Sequence, residues 1–333
     1  MEIVYFHKKK ISGTISIEES FRPIIDEISK THYVKEYNVP FHGSSPIKLL
    51  KNILYIRRHS TKDGINHISG DIHYGILGLL GRKSVITIHD DYAIRYARWG
   101  VLDRLYKWLL WIYLPVRLST ATVCISPATL RRMNELYKTS KYILLTHHTI
   151  PPILREIKKD FNKEYPQFLQ IGTEINKNLE TTLEVVKNIP CKLVVMKPMS
   201  QSQVEKAKAL NIDFENKYDM PYEKVVEEYQ KCDIVLFPSL MEGLGMPIYE
   251  AQAAGKPVIT TNKEPMSWVA GDGALLLDNP KDQVEYYNAI MRIINDDEYR
   301  SDLVRKGREN SKRFSLDKAV DNYLNLYKSL IQS

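Results

Sequence analysis

Residues 237–262, FPSLMEGLGMPIYEAQAAGKPVITTN, leave the chain little choice of local structure. Ile234, Val235, Leu236 and Phe237 form a short apolar run of the kind that makes a buried parallel strand, and Pro238-Ser239 stops it. Gly243 and Gly245 then make a loop whose backbone N–H groups stay uncovered. Pro247 suits the first position of a helix, because its fixed φ matches and its missing N–H would have had no partner there. The helix is predicted over 247–254, closed by Gly255 and barred from continuing by Pro257, and 258–261 is again strand-like. Strand, glycine loop, short helix and strand make one crossover unit. Such a unit sets its loop and helix N-terminus at the carboxyl edge of a parallel sheet, so the fold class is α/β.

Two glutamates ride on this unit, Glu242 in the loop and Glu250 in the predicted first turn of the helix. A helix N-terminus attracts anions such as phosphate, so carboxylates beside it must serve another group, and sugar hydroxyls fit. Glu242, seven residues, then Glu250, set as E-G-L-G-M-P-I-Y-E-A before A-G-K-P-V, resembles the donor-site signature of the retaining family 4 glycosyltransferases. That resemblance implies the GT-B fold: two Rossmann-like domains facing a central crevice, with a C-terminal helix crossing back to the first. It implies that Glu250 binds the ribose of a nucleotide sugar and that Glu242 approaches the transferred sugar. The amides around Gly243, Leu244, Gly245 and Met246 would hold sugar hydroxyls or the diphosphate.

The rest of the chain is read against those expectations. At 333 residues it exceeds what one core normally holds. The domains are set at 1–150, 151–315 and a returning helix at 316–333, with Pro151-Pro152 as the linker. Phe168 to Ile171 is a strand before Gly172, and a helix begins near Asn176, so Lys177 is placed to reach a phosphate. By resemblance Lys177 neutralises the donor diphosphate. Thr173 stands where many relatives have an arginine. By the same resemblance Lys197-Pro198, Tyr218 and Met220 are the base-pocket candidates, although the glycine usual after the first of these strands is absent, Met196-Lys197-Pro198 standing there.

In the first half, Gly13 lies in a loop that resembles the one near the diphosphate. The segment 66–91, NHISGDIHYGILGLLGRKSVITIHDD, predicts a strand to Ile68, a helix from Asp71 to Leu80 and a buried strand ending at His89-Asp90-Asp91. A histidine at the carboxyl end of a parallel strand faces the binding crevice in this architecture. By resemblance to family members with G-D-I-H-Y upstream and T-I-H-D after the strand, His89 orients the acceptor and contacts the transferred sugar, whereas His73 packs or caps the helix. Residues 92–118 carry Trp99, Trp108 and Trp111 among Arg95, Arg98, Arg104, Lys107 and Arg117. Leu102, Leu105, Leu109, Ile112 and Tyr113 follow helical spacing, and that stripe is read as core, with an interfacial helix beside lipid as the rival.

Net charge is +7 and unevenly shared. Residues 1–150 hold 22 Lys and Arg against 12 Asp and Glu, while 151–333 hold 25 against 28. A basic first half suits an anionic partner such as a membrane surface or a lipid diphosphate. Nothing resembles a zinc finger, RRM or helix-turn-helix, so nucleic acid is not expected. Three well-separated cysteines read as reduced core residues, and no apolar run reaches the roughly 18 residues that span a bilayer. A cytoplasmic protein, peripheral at the membrane's inner face, is expected. With no Asp-x-Asp, no G-x-G-x-x-G after a strand and no P-loop, no metal or cofactor is expected, and a dehydrogenase or phosphate-loop hydrolase is excluded. The reading is a metal-independent retaining glycosyltransferase acting on a nucleotide-sugar donor and a glycan or lipid-linked acceptor, in cell-surface polysaccharide synthesis. A nucleotide-sugar epimerase of the same fold and a non-catalytic membrane- or glycan-binding protein are the alternatives.

Overall fold

The apolar runs form two parallel sheets of six strands each. The computed structural model describes residues 1–9, 17–43, 45–89, 100–151, 153–154 and 159–332, without the side chains of 17–20. Gly13, Asp90, Asp91, Arg95, Arg98, Trp99 and Pro152 lie outside the described residues. The chain divides into unit 1, Met1–Thr149 with Leu316–Ser333, and unit 2, Ile150–Ser315.

Unit 1 contains β1 (Glu2–His7), β2 (Tyr33–Asn38), β3 (Ile65–Ile68), β4 (Ser84–Ile88), β5 (Ala121–Cys124) and β6 (Tyr142–Leu144), in the order β2-β1-β3-β4-β5-β6. Strands β1, β3, β4 and β5 are buried along almost their whole length, because helices cover both faces of the sheet. One face packs Val4, Phe6, Ile68, Ile86 and Ile88 against the helix Pro46–His59, and the other packs Ile3, Tyr5, Val85 and Val123 against the helices Ile17–Ser29 and Leu316–Gln332. That last helix carries Tyr323 and Tyr327 into the core, where the Tyr327 hydroxyl meets Tyr5 Oη at 3.0 Å and His67 Nδ1 at 2.6 Å.

Two sequence expectations are corrected here. The helix foreseen from Asp71 to Leu80 is a 3-10 helix, His73–Leu79. Gly75 and Gly78 press against the helix Pro46–His59 so closely that a Cβ on Gly78 would stand 2.5 Å from the Ile53 carbonyl oxygen, and the tighter winding follows that contact. The apolar stripe is not all core either: Leu102 and Leu105 are 80% and 56% exposed, Leu109 is exposed as well, while Ile112 is buried. A π-helical turn, Leu109–Tyr113, follows the helix Val101–Trp108 and adds a residue to the winding. The face that is inward after this turn is therefore out of phase with the stripe before it.

At the end of β1, His7 donates from Nε2 to Glu36 at 3.2 Å and meets the Ser69 hydroxyl through Nδ1 at 2.7 Å. His7, together with Arg22 at 2.6 Å, holds the Glu36 carboxyl down at about 2. The folded value lies below the ordinary 4.5, so the stability Glu36 adds is complete above that pH and is lost as pH falls toward 2. Wild type should therefore melt above Glu36→Gln near neutral pH, with the gap closing over that acid range. A gap independent of pH would acquit Glu36 of any part in acid unfolding.

Unit 2 contains β7 (Gln167–Ile171), β8 (Lys192–Met196), β9 (Asp213–Lys217), β10 (Ile234–Phe237), β11 (Val258–Thr261) and β12 (Leu275–Leu277). Their order is β12-β11-β10-β7-β8-β9, so the direction of winding reverses between β7 and β10. In open α/β sheets, ligands bind outside the carboxyl ends of the strands at such a switch point. Side-chain caps start several helices, among them Ser200 with Gln203 and Asp282 ahead of Gln283–Asn295. Cys124, Cys191 and Cys232 are buried and free.

Candidate active site

The loops that leave β7 and β10 meet at the switch point. After β7 the chain turns at Gly172, with φ +97°, and a Cβ there would stand 2.5 Å from Lys177 Cγ. Glycine is thus required for the lysine stem to lie across the turn. The short 3-10 helix Ile175–Lys177 follows, held by the Gln170 amide donating to the Lys177 carbonyl at 2.9 Å. Two bonds tie it to the loop after β10: Leu240 N–H to the Asn176 carbonyl at 2.7 Å and the Asn176 amide to the Met241 carbonyl at 3.0 Å.

This clamp brings Lys177 and Glu242 together. Lys177 Nζ donates to Glu242 Oε1 at 2.7 Å and sits 5.1 Å from the centre of the Phe237 ring. Beyond Glu242, Gly243 is open to solvent-sized space, Leu244 is buried, and Gly245 turns with φ +99° to start the helix Met246–Ala253. A cation, a carboxylate and a helix N-terminus therefore share one strand edge, which is an arrangement that can hold a phosphate and a polyol side by side.

Glu250 opens the second turn of that helix, not the first. It is only 7% exposed and accepts from both Tyr222 Oη at 3.1 Å and Tyr229 Oη at 2.6 Å. Burial pushes its carboxyl up, and the two hydroxyls oppose that shift. Neither tyrosine was foreseen: on the amphipathic helix Tyr222–Lys231 a tyrosine reads as core, and only the tertiary structure shows where its hydroxyl points.

β8 and β9 end side by side, with Met196 opposite Lys217, so Lys197-Pro198 and Tyr218 to Met220 leave neighbouring strand ends. Lys197 has φ +86°, the conformation a glycine would take there. Its backbone is held by Lys197 N–H donating to the Lys217 carbonyl and by the Asn216 amide donating to the Lys197 carbonyl. Since the side chain is exposed, Lys197→Gly should stabilise the fold by about 0.5–1 kcal/mol after glycine's own chain-entropy cost, read as a higher urea midpoint. A lowered midpoint would show that the lysine is not strained. Thr173 donates its hydroxyl to the Pro198 carbonyl at 2.6 Å, joining the loops after β7 and β8, so it holds the loop where an arginine would carry charge.

In unit 1, His89 follows β4 and its Nε2 donates to the Ser69 carbonyl at 2.8 Å. His73 is buried against the carbonyls of Trp111 and Thr87, in a packing role.

Residues 155–310 match the family model of the glycosyl transferases group 1. That part of the chain belongs to the group 1 glycosyltransferases. Among curated relatives, an uncharacterized glycosyltransferase of Methanocaldococcus jannaschii is 35% identical over 113 residues, 33% of this chain and 31% of that protein. The O-antigen chain mannosyltransferase B of Escherichia coli is 32% identical over 112 residues, 34% and 28% of the two chains. These matches span about a third of the length of the relatives. Anabaena HepE, solved in complex with UDP, superposes with a TM-score of 0.78 at 13% identity, over 99% of this chain and 100% of that one. At that identity the likeness speaks to the fold alone, and the fold of this chain is GT-B.

Proposed function

We propose that this group 1 glycosyltransferase moves a sugar, with retention of configuration, from a nucleotide diphosphate sugar to a glycan or lipid-linked acceptor in cell-surface polysaccharide synthesis. The observation that carries the reading is the Lys177–Glu242 pair at the β7/β10 switch point, with Glu250 on the helix behind it. The Escherichia coli relative acts on an O-antigen chain and HepE was solved with UDP, which supports the class of acceptor and donor.

In this reading the ribose hydroxyls donate to Glu250, whose lone pairs are not exhausted by two tyrosines. The base lies along Lys197, Pro198, Tyr218 and Met220. The diphosphate takes Lys177 from Glu242, and the freed carboxylate accepts from a hydroxyl of the sugar. As the bond from the sugar's anomeric carbon to the phosphate breaks, the acceptor oxygen bonds that carbon from the same face. The departing phosphate oxygen takes the acceptor proton. Lys177 and the amides of residues 243–246 stabilise the charge that develops, so no metal is required at the diphosphate.

Ile47, Leu50 and Leu54 line one exposed face of the helix Pro46–His59, with exposed Lys51 and Arg58 beside them. No helix among the described residues is long and apolar enough to cross a membrane, and this face supports peripheral binding to an anionic lipid surface at the cytoplasmic side. Co-sedimentation with anionic but not neutral vesicles is the expected result.

Calorimetric titration of UDP, GDP and ADP, each free and as a sugar conjugate and without added metal, tests the donor site. One nucleotide should bind in the micromolar range, and product analysis with acceptor should show the anomeric configuration kept. Sugar epimerised without any acceptor would establish the epimerase instead, and no binding by any nucleotide would end the reading.

A further inference from the structure

We infer that His89, His147 and His148 form a three-imidazole site for a divalent transition-metal ion, zinc before others. All three belong to unit 1, and each offers a ring nitrogen such that the three nitrogens lie within 4.8 Å of one another. Among the described residues this is the one such group of metal-ligating side chains.

The second observation is what the rings lack. His147 is fully buried, yet neither of its nitrogens has a hydrogen-bond partner, and Nδ1 of His148 is likewise buried and unpaired. Leaving a buried polar atom unpaired costs on the order of 1–3 kcal/mol, so several in one place call for a ligand. Packing holds the rings in position: His147 stacks on Phe21 with centroids 3.9 Å apart, His148 lies 4.1 Å from His147, and His89 meets His147 edge-on at 4.9 Å.

The ligand chemistry narrows the ion. Neutral imidazoles suit zinc, copper, nickel and cobalt and offer little to magnesium or calcium. Nε2 of His89 donates to the Ser69 carbonyl, and a carbonyl behind a ligating histidine is the usual orienting partner. Zinc–nitrogen bonds of about 2.0–2.1 Å in a tetrahedron place nitrogens about 3.3 Å apart, so modest ring rotations close the site. Three protein ligands leave a fourth position for water or another oxygen donor. All of its ligands belong to unit 1, whereas the diphosphate is assigned to residues of unit 2, and metal content is measured with no substrate present.

The test uses the full chain without a histidine tag. It is equilibrated with zinc against a competing chelator, desalted and assayed for metal, and in parallel is loaded with cobalt for its visible spectrum. The wild type should retain about one equivalent and give the intense bands of four-coordinate cobalt. His147→Phe keeps the stack on Phe21 while removing both nitrogens, and it and His148→Ala should lose about 100-fold or more in affinity, whereas His32→Ala, outside the cluster, should not. Zinc should also raise the melting temperature of wild type and leave that of His147→Phe unmoved. Wild type that holds zinc no better than His147→Phe, or cobalt that keeps its pale octahedral spectrum, overturns the site.

Discussion

Replacing Lys177 with alanine should lower kcat by about 10²–10³ while the fold survives, a loss comparable to removing one preorganised donor from a charge-stabilising site. Lys177 reaches the carboxyl edge from a three-residue 3-10 helix that two backbone-directed bonds clamp to the β10 loop. Its ammonium is 2.7 Å from Glu242, and side-chain exposures of 20% and 12% show that water screens the pair only partly. In the proposed reaction, charge developing on the leaving diphosphate would meet a preset cation that need not reorganise. Lys177→Arg should rescue little: the lysine stem crosses Gly172 too closely for any Cβ there, and a planar guanidinium cannot take that path unchanged. Steady-state and single-turnover rates, with thermal melting as a fold control, decide it. Activity of Lys177→Ala within about threefold of wild type would remove the residue from the reaction.

Glu250→Ala should weaken nucleotide binding by about 10²–10⁴, because hydrogen bonds from ribose hydroxyls to a buried carboxylate contribute about 1.5–3 kcal/mol each. The substitution also strips the partner from the fully buried Tyr229 hydroxyl, at 2.6 Å, and from Tyr222. About 1–3 kcal/mol of stability should go with it. Tyr229→Phe separates the two effects: it leaves the carboxylate in place but less well oriented, so binding should fall much less than in Glu250→Ala. Glu250→Gln keeps the shape yet offers an N–H where a tyrosine hydroxyl now donates, and its binding loss should approach that of alanine. Calorimetry on the three variants reads this directly, and an unchanged Kd in Glu250→Ala would place the ribose elsewhere.

How much of this could be read beforehand depends on whether the cause is local. The unit from β10 through the glycine loop to β11 was legible, since an apolar run, three glycines and three prolines determine it within about thirty residues. The Lys177–Glu242 contact was partly legible, because both residues were placed at strand ends but their pairing depends on the strand order that sets β7 beside β10. The φ of Lys197 has no local signal in Met196-Lys197-Pro198, only the absence of the usual glycine: at the end of the β8/β9 pairing a lysine takes a glycine conformation. Leu102 and Leu105 were read as core because spacing assumes one winding throughout, and the π turn breaks that assumption. The histidine cluster escaped for a related reason, since His89 and the His147-His148 pair are brought together only by the adjacency of β4 to β5 and β5 to β6.

Unit 1 is not continuous in the chain, and this has a consequence for synthesis on the ribosome. Tyr5 and His67 are made early, yet the hydroxyl that pairs with both belongs to Tyr327. Until residues 316–333 emerge, the face of the sheet that carries Ile3, Tyr5 and Val85 lacks one of the two helices that cover it. The intervening unit 2, by contrast, has its whole sheet available once Leu277 has been translated. The nascent chain therefore completes the later unit before the earlier one, and the part of that apolar face covered by Leu316–Gln332 stays open in the meantime.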